Sequence, residues 1–315
     1  MAIAHPVRTS ATTAAVARAL TGTKRPLSEL AFQGLLVVAL VLSLAVLLWL
    51  LSDVFMRSLP VWAERGPVSF VTSNLSSDPL KAGVAQGIFG SIAMMIMVVV
   101  TTIPIGVAAA IYLEEYATDS RLTRLLNTTV RNLAGVPAVV YGLLGLAVFV
   151  GLQKALGSKG GYNLISGGLT IAIVVLPIVI ITAAEALRSV PRSLREAGFG
   201  VGATKWEVVR SHVLPSAAPG IFTGVILTIA RAFGETAPLL LVGAAGSFGQ
   251  AANASLADKL IGPYTALPTT IYNWARQPQD EFKALTAAAI VVLLAVVLVI
   301  NLVAIVLRNR YERRW

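Results

Sequence analysis

Residues 31–52 read AFQGLLVVALVLSLAVLLWLLS, an unbroken run without a charge. A hydrocarbon core about 30 Å thick is crossed by about 20 apolar helical residues, so this stretch predicts a membrane-spanning helix. Comparable apolar stretches follow at about 87–113, 132–152, 166–187, 218–243 and 284–307, which predicts six spans. An even number of spans returns both termini to one side. The first run is too long for the apolar region of a signal peptide. Leu51-Ser52-Asp53 after it offers no small-x-small cleavage site, so it reads as a retained helix.

Composition agrees. Of 315 residues, 56% are hydrophobic and 13% charged. A soluble domain carries about 25% charged residues to cover its surface. The mean hydropathy of +0.79 disfavours a soluble fold and excludes disorder. Cysteine is absent, which removes disulfides, thiolate metal sites and cysteine nucleophiles, and the two histidines, His5 and His212, do not suggest a metal centre. No cofactor is expected. The net charge of +10 reads as cytoplasmic loops against lipid headgroups rather than as a nucleic-acid surface.

Lys and Arg concentrate in alternate connections. With the N-terminus inside, sixteen fall on the cytoplasmic side and eight outside, Arg231 lying within a span. The excess predicts cytoplasmic termini, with RNRYERRW closing the chain against the inner headgroups. The expected organisation is a cytoplasmic tail over 1–30, a six-span domain over 31–307 and a basic C-terminus over 308–315. Pro104, Pro137, Pro177 and Pro238 interrupt the apolar runs, and Gly220-x-x-x-Gly224, extended by Thr228 and Ala232, predicts close helix packing.

The connection at 188–217, RSVPRSLREAGFGVGATKWEVVRSHVLPSA, is too long for a simple turn. Ser193-Leu-Arg-Glu196 has the spacing of a capping box. Gly198, Gly200 and Gly202 predict a turn or close backbone approach before Lys205–Arg210 resumes a helix, and Pro215 and Pro219 mark entry into the next span. The residues alone are also compatible with a solvated interfacial helix. Glu196-Ala197-Gly198, then Gly202, then His212-Val213-Leu214-Pro215 nine residues on, resembles the cytoplasmic EAA loop of ABC importer permeases. Gly198 replaces the second Ala of that pattern and His212 its Ile. The resemblance implies a type I ABC importer permease fold. In that family the loop forms a coupling helix docked on an ATPase, here through Glu196, Ala197, Gly198, Gly202, Leu214 and Pro215. The chain carries no GxxxxGK[ST] loop of its own, so ATP hydrolysis is expected from another subunit.

Further motifs narrow the resemblance. Pro104-Ile-Gly106 through Glu114-Glu-Tyr116, Asn132-Leu-Ala-Gly135-Val-Pro137 through Tyr141-Gly142, and Arg231-Ala-Phe-Gly234-Glu235-Thr236 are similar to segments of phosphate permeases. Ala237-Pro238, Leu267 through Trp274, Gln277-Pro278 and Glu281-Phe282 resemble the PstA-type subunit rather than the PstC-type one. The resemblance implies a bacterial inner-membrane permease for phosphate. It also implies a PstC-like second permease, a PstB-like ATPase dimer and a PstS-like phosphate-binding protein as partners.

Arg231 and Glu235 stand four apart within an apolar run, where a charge is costly. They read either as a self-neutralising structural pair or as an anion path. In the second reading the planar guanidinium faces two oxyanion oxygens and Thr236 adds a hydroxyl. Another oxyanion, sulfate or molybdate, and a stand-alone secondary carrier are the rival readings.

Overall fold

The computed structural model describes residues 27–158, 160–244 and 260–311; of the tail expected over 1–30, residues 1–26 lie outside them and 27–30 already belong to the first helix, and the last residues of the basic C-terminus, 312–315, also lie outside. The described residues are all-helical, with six helices long and apolar enough to cross a bilayer. The chain divides after Asp53. The described part of the first unit, 27–53, is the start of helix α1 (Leu27–Arg65), and its side chains are almost all exposed.

In the second unit α1 ends at Arg65, which donates to the carbonyls of Ala82 (2.6 Å) and Pro79 (3.3 Å). A short α2 (Pro67–Thr72) follows. The second span is α3 (Ala85–Ile111), finished by a π-turn over Tyr112–Tyr116. Then come α4 (Arg121–Ala134), α5 (Ala138–Ala155) and α6 (Leu164–Arg188). Beyond them lie α7 (Arg192–Gly200), α8 (Lys205–Gly234), α9 (Ala237–Leu241), α10 (Leu267–Ala275) and α11 (Asp280–Tyr311).

Glycine sets the spacing of the bundle core. A Cβ on Gly106 of α3 would lie 2.6 Å from Val179 of α6. On α8, a Cβ on Gly220 would meet Ala186 at 2.9 Å and one on Gly224 would meet Thr182 at 2.5 Å. Thr228 and Ala232 continue that face and are buried, so the small-residue stripe is the α8 surface against α6. Gly142 of α5 admits Pro238 of α9 in the same way. Gly224→Val therefore overpacks the α6–α8 seam. Such overpacking costs about 1–3 kcal/mol, and a lower thermal midpoint of the purified protein in detergent is the expected result.

A second core gathers Val61, Phe70, Trp274, Phe282 and Leu285. Its rings run from Trp62 to Phe70 (5.4 Å, edge to face), then to Trp274 (6.3 Å) and Phe282 (5.9 Å).

The helices run past the expected bounds of the first, second and sixth spans (Leu27–Arg65, Ala85–Tyr116 and Asp280–Arg310), and the third and fifth spans are displaced. The third span begins at Ala138 rather than 132. Helix α4 stops at Ala134, and Pro137, at φ −56° and ψ 133°, starts a new helix. The residue preceding a proline avoids the helical region, so Gly135-Val136-Pro137 is a true break. The fifth span runs from Lys205 to Gly234, not over 218–243. Pro215 and Pro219, expected to mark its entry, both lie inside this helix, Pro215 just after a π-turn over Val209–Val213. Pro104 and Pro177 likewise sit inside continuous helices and break nothing.

Candidate functional site

The first site lies where α8 ends. The segment 219–242 carries no charge besides Arg231 and Glu235. Arg231 occupies the last turn of α8. Glu235 is not on the helix face beside it, as the spacing predicted. The helix stops at Gly234, and Glu235 follows in extended backbone with φ −73° and ψ 106°. The pair still meets, Arg231 Nε donating to Glu235 Oε1 at 3.3 Å. Glu235 is mostly covered at 17% exposure while Arg231 is 57% exposed. Among the described residues neither terminal nitrogen of Arg231 donates a hydrogen bond, so the outer edge of its fork is open. Thr236 immediately precedes α9, its hydroxyl 3.4 Å from the Gly234 carbonyl. The break thus leaves Arg231 and Glu235 paired, with Thr236 next in the chain.

The second site is the connection from α6 to α8. It folds as a helical hairpin: α7, a turn, and the start of α8. Pro191, not Ser193, caps α7, and no side chain accepts from its first turn. The capping box expected at Ser193–Glu196 is absent because the helix has already begun at Arg192, leaving Ser193 within the first turn. The box forms one step later. Thr204 Oγ1 accepts from the Glu207 amide (3.4 Å), and Glu207 accepts from the Thr204 amide (2.7 Å). The Thr-x-x-Glu spacing after Gly202 carried that signal in the sequence.

The three glycines of the hairpin differ in role. Gly198 is buried, and a Cβ there would lie 2.7 Å from a methyl of Val208, so it sets the closeness of the two arms. Gly202 has φ +83° with open space around it and makes the turn. Gly200 meets nothing and is an ordinary helical residue. Of the other positions singled out, Glu196, Ala197 and Pro215 are exposed, while Leu214 packs on the bundle core. Sequence reasoning missed three apolar side chains on this hairpin: Phe199 (48% exposed), Val201 (84%) and Trp206 (53%).

It also missed where the hairpin is anchored. Arg188 and Arg195 are not solvated loop cations. Arg188 makes a two-pronged pair with Glu114, Nε to Oε2 at 2.7 Å and Nη2 to Oε1 at 2.6 Å. Arg195 pairs with Glu115, Nη2 to Oε1 at 2.6 Å. Both glutamates belong to the π-turn that ends α3.

These features define a six-span, all-helical membrane subunit with a helical hairpin joining its fourth and fifth spans, and its fold is that of a type I ABC importer permease. A crystal structure of a bacterial alginate ABC transporter aligns with a TM-score of 0.62 at 15% identity, over 92% of this chain and 99% of the matched one. An inward-facing crystal form of the MetNI methionine ABC transporter aligns at 0.56 and 18% identity, over 76% and 100%. Residues 102–315 match the family described as binding-protein-dependent transport system inner membrane component. The chain belongs to that family.

Among relatives, the phosphate transport system permease protein PstA of Xylella fastidiosa (strain 9a5c) is 33% identical over 73% of this chain and 77% of its own. PstA 1 of Mycobacterium tuberculosis (strain H37Rv) is 32% identical over 87% and 85%. The probable ABC transporter permease protein YqgI of Bacillus subtilis is 34% identical over 54% of this chain, which spans only 56% of that relative's length.

Proposed function

We propose that the chain is a transmembrane permease subunit of an ATP-driven inorganic phosphate importer and forms half of its translocation path. The observation that carries this reading is the open guanidinium edge of Arg231 at the α8–α9 break. A cation in a membrane segment faces a protein interior or a water-filled path rather than lipid. Arg231 is exposed on this chain. A second permease subunit and an aqueous anion path are the surroundings that suit it. A planar fork whose outer nitrogens donate to none of the described residues matches a pair of oxyanion oxygens. The names borne by the PstA relatives support phosphate as that anion.

In this reading Arg231 attracts the anion, Thr236 offers a hydroxyl and Glu235 accepts from a phosphate hydroxyl while repelling bare oxygens. A PstC-like permease completes the path, a PstS-like protein delivers phosphate from outside, and a PstB-like ATPase dimer sits beneath. The hairpin within 188–217 docks on that ATPase through the face carrying Glu196, Ala197, Phe199 and Trp206. Gly198 and Gly202 shape it, and Leu214 and Pro215 join it to the span. Closure of the ATPase pair on ATP is transmitted through the hairpin, the path opens outward, and hydrolysis resets it. This chain makes and breaks no covalent bond.

The test is uptake of labelled phosphate by the complete transporter in proteoliposomes, with sulfate, molybdate or arsenate as competitors. ATP-dependent phosphate accumulation blocked by arsenate but not by sulfate or molybdate is expected. Accumulation of sulfate or molybdate in place of phosphate would overturn the substrate assignment. Uptake independent of ATP would overturn the importer reading. Orientation is tested with the same protein. Because the chain has no cysteine, Ser189→Cys gives a single label site. An impermeant thiol reagent is expected to modify it only in inside-out vesicles, and labelling from outside intact cells would reverse the topology.

A further inference from the structure

The π-turn that ends α3, Tyr112-Leu-Glu-Glu-Tyr116, reaches three other elements with three consecutive side chains. Glu114 holds Arg188, the last residue of α6, by two hydrogen bonds. Glu115 holds Arg195 of α7, Nε to Oε1 at 3.1 Å and Nη2 to Oε1 at 2.6 Å. Tyr116 lies beneath the ammonium of Lys205, the first residue of α8, 5.1 Å from its ring centre. A π-turn widens the backbone by one residue, which suits adjacent side chains that diverge to different partners; such turns recur at functional positions.

The three tethers are not equal. Lys205 is exposed, and Arg188 is nearly half exposed at 47%. The Glu115–Arg195 pair is the covered one, with side chains 7% and 19% exposed. Arg195 also donates to the carbonyls of Val190 (2.8 Å) and Leu187 (2.9 Å), binding the turn between α6 and α7 to the same carboxylate. Its planar fork is therefore engaged on both edges, a geometry an ammonium cannot copy. Residues 115 and 195 are 80 positions apart, so this is a tertiary joint rather than a helix pair.

From this geometry we infer that Glu115 and Arg195 form the joint that makes the hairpin helix α7 and the second span α3 move as one body. The inference rests on the importer reading above and deepens it. Phe199, Val201 and Trp206 protrude from the hairpin, and a force applied there by an ATPase must enter the membrane through its attachments. Helix α6 leads into the hairpin and α8 continues from it, whereas α3 has no chain connection to α7 and is joined to that helix through the π-turn. Without the joint, the hairpin follows the ATPase while α3 lags, and hydrolysis proceeds without matched transport. Glu115 and Arg195 are positioning residues: they touch neither anion nor nucleotide.

The experiment replaces Glu115 and Arg195 together with Cys in the otherwise cysteine-free chain and assembles it with cysteine-free partner subunits in proteoliposomes. A short bis-methanethiosulfonate linker bridges the two thiols, and dithiothreitol releases it. ATP hydrolysis and phosphate accumulation are read in the same vesicles. The bridged protein is expected to transport per ATP as the wild type does. After release, the ratio is expected to fall by about fivefold or more, the lower range of measured site-to-site couplings, with the complex still assembled. Glu115→Gln is expected to match the released form, and Arg195→Lys to retain part of the coupling. An unchanged ratio after release overturns the joint, as does loss of transport in the bridged form, which would mean that the two helices must part. A wild-type complex that hydrolyses ATP when its binding protein is added but accumulates no phosphate overturns the phosphate reading alone. In that case the joint is judged by binding-protein-stimulated hydrolysis in the bridged and released states.

Discussion

Arg231→Ala is expected to lower phosphate uptake by about tenfold or more while leaving the complex assembled. Among the described residues the guanidinium makes one hydrogen bond, to Glu235 at 3.3 Å, and it is more than half exposed, so few packing contacts go with it. Hydrogen bonds to charged groups contribute about 1.5–3 kcal/mol. Losing one such donor pair at the anion's position lowers transport by about tenfold to a hundredfold, and loss of the attraction itself affects every oxyanion. Arg231→Lys keeps the charge without the fork, and partial uptake is expected. Glu235→Gln separates the two roles of the carboxylate. If Glu235 discriminates protonated from bare oxyanions, sulfate competes better in the variant while arsenate competes as before. If sulfate exclusion is unchanged, Glu235 serves only as the counter-ion of Arg231. Competition assays in proteoliposomes read all three variants, and normal uptake by Arg231→Ala would remove the anion path from this site.

Gly202→Val is expected to uncouple ATP hydrolysis from transport with the spans intact. The cause is conformational rather than steric. A Cβ at Gly202 would meet nothing within 4 Å, but its φ of +83° is closed to a β-branched residue. Strain of this kind costs about 1–3 kcal/mol. The turn closes α7 through Gly202 N–H to the Phe199 carbonyl (2.9 Å) and Ala203 N–H to the Gly198 carbonyl (3.2 Å). It then delivers Thr204 to the amide of Glu207, so a changed φ misaims the start of α8 and the protruding Trp206 together. Gly202→Asn, which tolerates the left-handed region, is expected to retain most of the coupling. Gly198→Val fails for the other reason, by forcing Val208 away. Hydrolysis and uptake measured together distinguish these outcomes, and normal coupling in an assembled Gly202→Val complex would leave the hairpin as a solvated connection.

Much of the architecture is legible in the sequence. Six spans follow from apolar length alone, since a bilayer sets that length irrespective of neighbours. The small-residue stripe from Gly220 to Ala232 follows from helical periodicity, and the α6–α8 seam lies on it. The hairpin, too, was visible as glycines and a resumed helix within a basic connection. Its capping box was misplaced by one candidate: Ser193–Glu196 and Thr204–Glu207 have the same spacing, and only the position of Pro191 decides which serves.

What local sequence could not supply was every feature that depends on residues far apart. The end of α8 at Gly234 is one. Arg231 and Glu235 read as helix neighbours until the chain turns, at Glu235, to carry Pro238 against Gly142 of α5. The fates of Arg188 and Arg195 are another. In sequence they are two of several loop cations, and Glu114 and Glu115 are two acids at the end of a different span. Apolar length, helical period and turn chemistry act over a few residues and were determined by the sequence itself. Which arginine meets which glutamate across 74 and 80 residues was decided only by the tertiary structure, because α3 and α6 must first pack before their ends come within reach.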